Sequence, residues 1–140
     1  MEAMIVFAHG ARDPRWAEPF ERITARISAQ RPQSQVRLAF LELMQPSLPD
    51  AVQDLAAQGC TRVVIVPAFL GQGGHVRRDL PALVEALSHQ HPHIRFDLAT
   101  AVGESDEVIN AIARVCLESF DNGTDSLLHW TDADIDPDSP

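Results

Sequence analysis

His9, Glu42 and His75 each stand behind a run of apolar residues, and together they form a donor set with definite chemistry. Two neutral imidazoles and a carboxylate suit a borderline divalent ion such as cobalt, nickel or iron(II). The same imidazoles are equally suited to proton transfer near neutral pH. His75 is preceded by Leu70, Gly71, Gln72, Gly73 and Gly74, and glycines let a backbone approach a ligand closely or take positive φ. Anion binding at a helix N-terminus is the rival use of that loop. A phosphate-cradling loop would require Gly-Lys-Ser/Thr, and this chain has no Lys. Arg12 lies close enough to His9 to meet a substrate carboxylate, while Asp13 reads as a helix cap. No hydroxyl nucleophile adjoins His9, whose next neighbours are Gly10 and Ala11.

Each of these residues also has an ordinary reading. A His after a buried strand often only bonds a carbonyl, Glu42 could be a solvated strand end, and His75 an exposed loop residue. His89, His91 and His93 read as an exposed helix end and turn, with loose metal binding as the alternative. Cys60 and Cys116 belong to no CxxC pair and read as buried free thiols in a reducing cytoplasm.

The elements that must position these groups follow from hydrophobic spacing. Met4 to Ala8 is a continuous apolar run, the pattern of a strand buried on both faces, and Arg62 to Pro67 is the strongest strand signal in the sequence. Val36 to Leu41 and Ile94 to Leu98 are two further strands. Helical spacing links Trp16, Phe20, Ile23 and Ile27 from Pro14 to about Gln30, with Pro19 marking a kink or a later start. Leu48, Val52, Leu55 and Ala56 share a face of a second helix closed by Gly59. Leu80, Leu83, Val84 and Leu87 stripe a third, after the glycine loop. A fourth, capped by Ser105, turns Val108, Ile109, Ile112, Val115 and Cys116 inward. Four strand–helix repeats predict an α/β fold: an open four-stranded parallel sheet, helices on both faces, with flavodoxin-like winding. Ligands of such sheets bind beyond the carboxyl ends of the strands, where His9, Glu42 and His75 collect.

The chain has 140 residues and a net charge of −9, with every basic residue an Arg. That balance argues against duplex nucleic acid, which needs a basic face. No apolar run approaches the roughly 20 residues of a membrane span, and no basic leader or cleavage site marks export, so a cytoplasmic location is expected. From Ser119 onward there are six Asp and no basic residue, so the expected division is a domain over 1–119 and an acidic tail over 120–140. Leu127, Leu128 and Trp130 are the apolar residues of that tail.

Three segments resemble one family. Val6-Phe7-Ala8-His9-Gly10-Ala11-Arg12-Asp13-Pro14 is similar to the opening of the small CbiX-type chelatases, which insert a divalent metal into sirohydrochlorin. Phe40 to Leu48 resembles their second block, and Val66 to Pro81 their third and most specific one. The resemblance implies that His9 and His75 hold the incoming metal and that His9 accepts a pyrrole proton. It implies a macrocycle pocket lined by Leu70 to His75 and by Glu42 to Gln45. It further implies cobalt, iron or nickel as substrate, no permanently bound cofactor, and a homodimer with the tetrapyrrole between lobes. Two positions depart from the pattern: Ala11 replaces a frequent Ser, and Gln45 a frequent Glu. The rival from another class is a carrier that binds metal or tetrapyrrole without accelerating insertion.

Overall fold

The structure is a computed structural model, and it describes residues 1–123. Strands β1 (Glu2–Ala8), β2 (Gln35–Phe40), β3 (Arg62–Pro67) and β4 (Arg95–Leu98) alternate with α1 (Glu18–Gln30), α2 (Leu48–Ala57), α3 (Gly74–Gln90) and α4 (Asp106–Asn122). All strand pairs are parallel and lie in the order β2-β1-β3-β4. β1 and β3 are therefore central neighbours, with Val6 opposite both Leu38 and Val66. The switch point of the sheet lies between them, at the carboxyl ends that carry His9 and lead to His75.

Side-chain alternation along the strands builds two apolar layers. Ile5, Phe7, Val63 and Ile65 meet Leu48, Val52 and Leu55 of α2 and Leu80, Val84 and Leu87 of α3 in the main core. On the opposite face Ala8, Leu38 and Phe40 pack with Ala17 and Phe20 beside α1. Helices thus cover both faces, as the strand–helix repeat predicts.

Local chemistry explains most boundaries and corrects several. Asp13 does cap, accepting from Arg15 N–H at 2.9 Å, but it starts a 3-10 turn over Pro14–Ala17. The α-helix proper begins at Glu18, which leaves Pro19 in the first turn where no intrahelical N–H is needed. Ser47 caps α2 through Asp50 N–H at 3.2 Å, and Gly59 ends it at φ 85. His75 is not a loop residue: α3 begins at Gly74, so the imidazole stands in a helical first turn.

The largest correction concerns α4. None of its residues is buried, and Ile109, Ile112, Val115 and Cys116 are exposed rather than inward. Cys60 alone of the two thiols is buried. The apolar period of α4 is real, but within one chain this helix neighbours chiefly the 3-10 turn Val102–Glu104. It also runs through Asn122, past the expected domain boundary at 119. Residues 124–140, with Leu127, Leu128, Trp130 and most of the acidic tail, lie outside the described residues. No helix among the described residues is long and apolar enough to cross a membrane.

Candidate metal and tetrapyrrole site

His9 leaves the buried end of β1 and is itself exposed. Its Nδ1 lies 3.2 Å from Glu42 Oε1. A carboxylate on Nδ1 selects the tautomer protonated there and leaves the Nε2 lone pair free for a ligand or a proton. The imidazole also rests against Phe69, with ring centroids 4.7 Å apart, and Phe69 meets Phe7 edge-on at 5.9 Å. Behind the ring, Trp16 Nε1–H donates to the His9 carbonyl at 2.7 Å. Plane, tautomer and backbone of His9 are all held.

The opposite wall depends on close backbone approach. Gly10 faces the Glu42 carbonyl, and a Cβ there would overlap that oxygen. Gly103 lies in the same way against the backbone of Leu70, seating the turn after β4 beneath the glycine loop. Between Glu42 and Gln45 the chain makes a γ-turn, with Met44 N–H bonded to the Glu42 carbonyl at 2.8 Å and Leu43 at φ 66. The positive-φ γ-turn is rare and strained for a branched residue. Here it displays the Leu43 side chain, 62% exposed, next to the Glu42 carboxylate. Gln45 is exposed and joined to Pro46 by a cis peptide bond.

His75 faces a cavity of about 290 Å³ with Phe7, Leu41, Asp79, Leu80 and Leu83. Phe7 and Leu41 are close in sequence to His9 and Glu42, so both imidazoles border one end of the sheet. Neither is sealed in hydrocarbon. A second cavity, also about 290 Å³, lies beyond α3 with Gln72, Leu98 and the Arg77–Glu104 pair, 3.7 Å apart, at its edge. Gly71, Gly73 and Gly74 have neither positive φ nor any atom within 4 Å of where a Cβ would stand, so the fold itself does not demand them. Their bareness leaves the loop open to a ligand. Leu70 projects over it at 66% exposure. Arg12 is exposed beside His9 and has no ion pair among the described residues.

The structure brings His9 and Glu42 into contact and sets His75, Leu70, Gly71, Gln72, Gly73 and Gly74 on the neighbouring strand end. It assembles no cluster of three His, Cys, Asp or Glu at metal-binding spacing among the described residues. The tract His89, His91 and His93 belongs to no such cluster either. Sequence reasoning gave no site role to Phe69, Trp16 or Asp79, whereas Leu43 falls in the Glu42 to Gln45 segment that the resemblance implies. Phe69 and Asp79 lie within the Val66 to Pro81 block, before Leu70 and one turn after His75, but nothing in the block gave them a role.

An open parallel α/β sheet with a carboxylate-held imidazole and a second imidazole near its switch point places its ligand chemistry where doubly wound α/β proteins bind small molecules. Comparison with known proteins narrows it. The CbiX family profile matches residues 3–119, and the chain belongs to that family. It is 31% identical over 92 residues to the sirohydrochlorin cobaltochelatase of Methanococcus aeolicus, a stretch covering 64% of either chain. The match thus spans less than two-thirds of that relative's length. A CbiX protein of cobalamin biosynthesis from Marinobacter aquaeolei superposes with a TM-score of 0.75 at 33% identity, covering 87% of this chain and 99% of that one. The sirohydrochlorin chelatase SirB of Bacillus subtilis, solved with cobalt, shares the fold with a TM-score of 0.67 at 23% identity. There 84% of this chain covers 50% of SirB.

Proposed function

We propose that this protein inserts a divalent metal, cobalt with iron or nickel as alternatives, into sirohydrochlorin. The observation that carries the reading is the pairing of a held imidazole, His9 on Glu42, with His75 at the adjoining strand end. Family membership supplies the substrate class. Exposed Leu41, Leu43 and Leu70 offer apolar edges to a flat macrocycle.

Insertion requires a metal stripped of water, removal of two pyrrole protons, and a macrocycle held with its nitrogens facing the ion. His9 Nε2 and His75 carry the ion as neutral ligands, adding no charge that would trap it. As the ion passes from His9 Nε2 to the pyrrole nitrogens, the vacated Nε2 takes one displaced N–H proton while Glu42 holds the ring through Nδ1, and the second proton leaves to solvent. Arg12, Arg77 and Arg78 meet the carboxylates of the substrate, while Gln45, Gln72 and the bare Gly71, Gly73 and Gly74 let the ring edge approach the backbone. Nothing in this scheme uses a nucleotide, a redox step or a resident cofactor.

In this reading the protein acts in the cytoplasm as a homodimer, with the tetrapyrrole between two copies. The support is one of length: this chain corresponds to half of the SirB chain. The test is an absorbance assay of sirohydrochlorin with cobalt, iron(II) or nickel, with and without protein. Insertion well above the spontaneous rate is expected. A protein that binds both partners yet leaves the rate unchanged is a carrier, and that result rejects the proposal.

A further inference from the structure

The second cavity, about 290 Å³ at the carboxyl ends of β3 and β4, lies between α3 and the turn Val102–Glu104. Pro67, Leu80 and Leu98 give it apolar walls, and Thr100, Arg77 and Glu104 give it polar groups. Val76 and Leu80 also line the cavity that His75 borders, so the two hollows share a wall of α3. Residues two apart on a helix stand roughly 200° apart around its axis and about 3 Å along it. His75 and Arg77 therefore serve opposite sides of the first turn of α3. A ligand that reaches both passes over the start of that helix, across Gly71, Gly73 and Gly74. There even an added Cβ would meet nothing within 4 Å.

The charges of this cavity are poised for exchange. Arg77 stands 3.7 Å from the Glu104 carboxylate, and the two side chains are 67% and 50% exposed. An exposed pair at that distance is weak, so a better-placed carboxylate displaces it. The turn that carries Glu104 is tied to the glycine loop. Gly103 N–H donates to the Phe69 carbonyl at 2.9 Å, and Gly103 lies against the Leu70 backbone. Pockets that enclose a whole small molecule run to about 300–1,000 Å³, so this one takes an arm of a larger ligand rather than a macrocycle.

We propose that this cavity receives one carboxylate-bearing side arm of the tetrapyrrole, whose alkyl stem lies on Val76 and Leu98 and whose head takes Arg77 from Glu104. The proposal rests on the reading of the substrate above and adds a subsite to it. With the ring over the glycine loop and its centre toward His75, one edge of the ring overhangs this cavity. Thr100 offers a hydroxyl donor to the same head. Glu104 occupies Arg77 in the empty protein, so the arm enters only by outcompeting one carboxylate.

Titration of the full chain with metal-free sirohydrochlorin, followed by absorbance, tests this without depending on metal insertion. Arg77→Gln removes the cation and Glu104→Gln its competitor. Thr100→Phe, at an exposed wall position, plugs the cavity without changing charge. Should that variant not fold, Ala99→Leu plugs the same wall. Arg77→Gln and the plugged protein should each bind about tenfold more weakly, the worth of one hydrogen bond to a charged group. Cobalt binding by the protein alone should stay at the wild-type value. Glu104→Gln should tighten sirohydrochlorin binding, and that gain should vanish in the Arg77→Gln background. Unaltered binding by the plugged protein overturns the subsite. So does a gain from Glu104→Gln that persists without Arg77, since a general charge effect would behave that way. A wild type that does not bind sirohydrochlorin overturns the substrate reading together with the subsite.

Discussion

Glu42 touches His9 through Nδ1 at 3.2 Å, so substitutions there separate orientation from charge. Glu42→Gln keeps an acceptor oxygen, whereas Glu42→Ala releases the ring. Loss of such a partner typically costs about 10–100-fold in metal affinity. Cobalt titration should therefore show that drop for Glu42→Ala and a smaller one for Glu42→Gln; equal affinities would deny the positioning role. At this scale the sequence was partly legible. A polar residue directly behind an apolar strand has a predictable place, which exposed His9 and Glu42. The Phe69 ring and the Leu43 γ-turn were not legible, because each depends on dihedral angles and on a neighbour distant in sequence.

Loops and strand pairs set the distances that these residues need. Gly10 admits the Glu42 carbonyl where any Cβ would collide. Gly10→Ala should then cost about 1–3 kcal/mol, as overpacking does, and loosen the His9–Glu42 contact. Chemical denaturation with cobalt titration would show both losses together, and stability lost without affinity would place Gly10 outside the site. At the other end of the sheet, Arg62 donates to Asp97 at 2.8 Å and ties β3 to β4. That hydrogen bond, against a smaller opposing effect of desolvation, holds the Asp97 carboxyl below its ordinary range. A carboxyl lowered in the folded state stabilises above its unfolded pKa and loses that contribution as pH falls through the folded value. The urea midpoints of wild type and Asp97→Asn should accordingly differ most near neutrality and converge below about pH 4. Element order was legible from period alone, since continuous apolar runs and helical stripes obey different geometry. The surroundings of α4 were not: an apolar stripe shows that a face seeks cover, without showing whose.

Across the whole molecule the candidate site rests on the main core, whose Phe7 and Phe69 reach its edge. Leu55 is fully buried among α2 and strand residues, remote from His9. Leu55→Ala should cost about 2–5 kcal/mol in denaturant while leaving insertion by the folded protein near wild type. The acidic surface also gains meaning at this scale. Under the proposed function a chain of net charge −9 needs basic groups to meet a polycarboxylate, and Arg12 and Arg78, three residues after His9 and His75 in sequence, have no ion pair among the described residues. The open sheet was legible as a whole from its four strand–helix repeats, whereas the neighbouring of β1 and β3, which brings His9 and His75 toward one end, came from the observed strand order. The most direct test is the initial rate of cobalt insertion into sirohydrochlorin by wild type, His9→Ala and His75→Ala, each shown to be folded. Each imidazole should be worth about 10²–10⁴-fold. Near-wild-type rates in both variants would contradict the account.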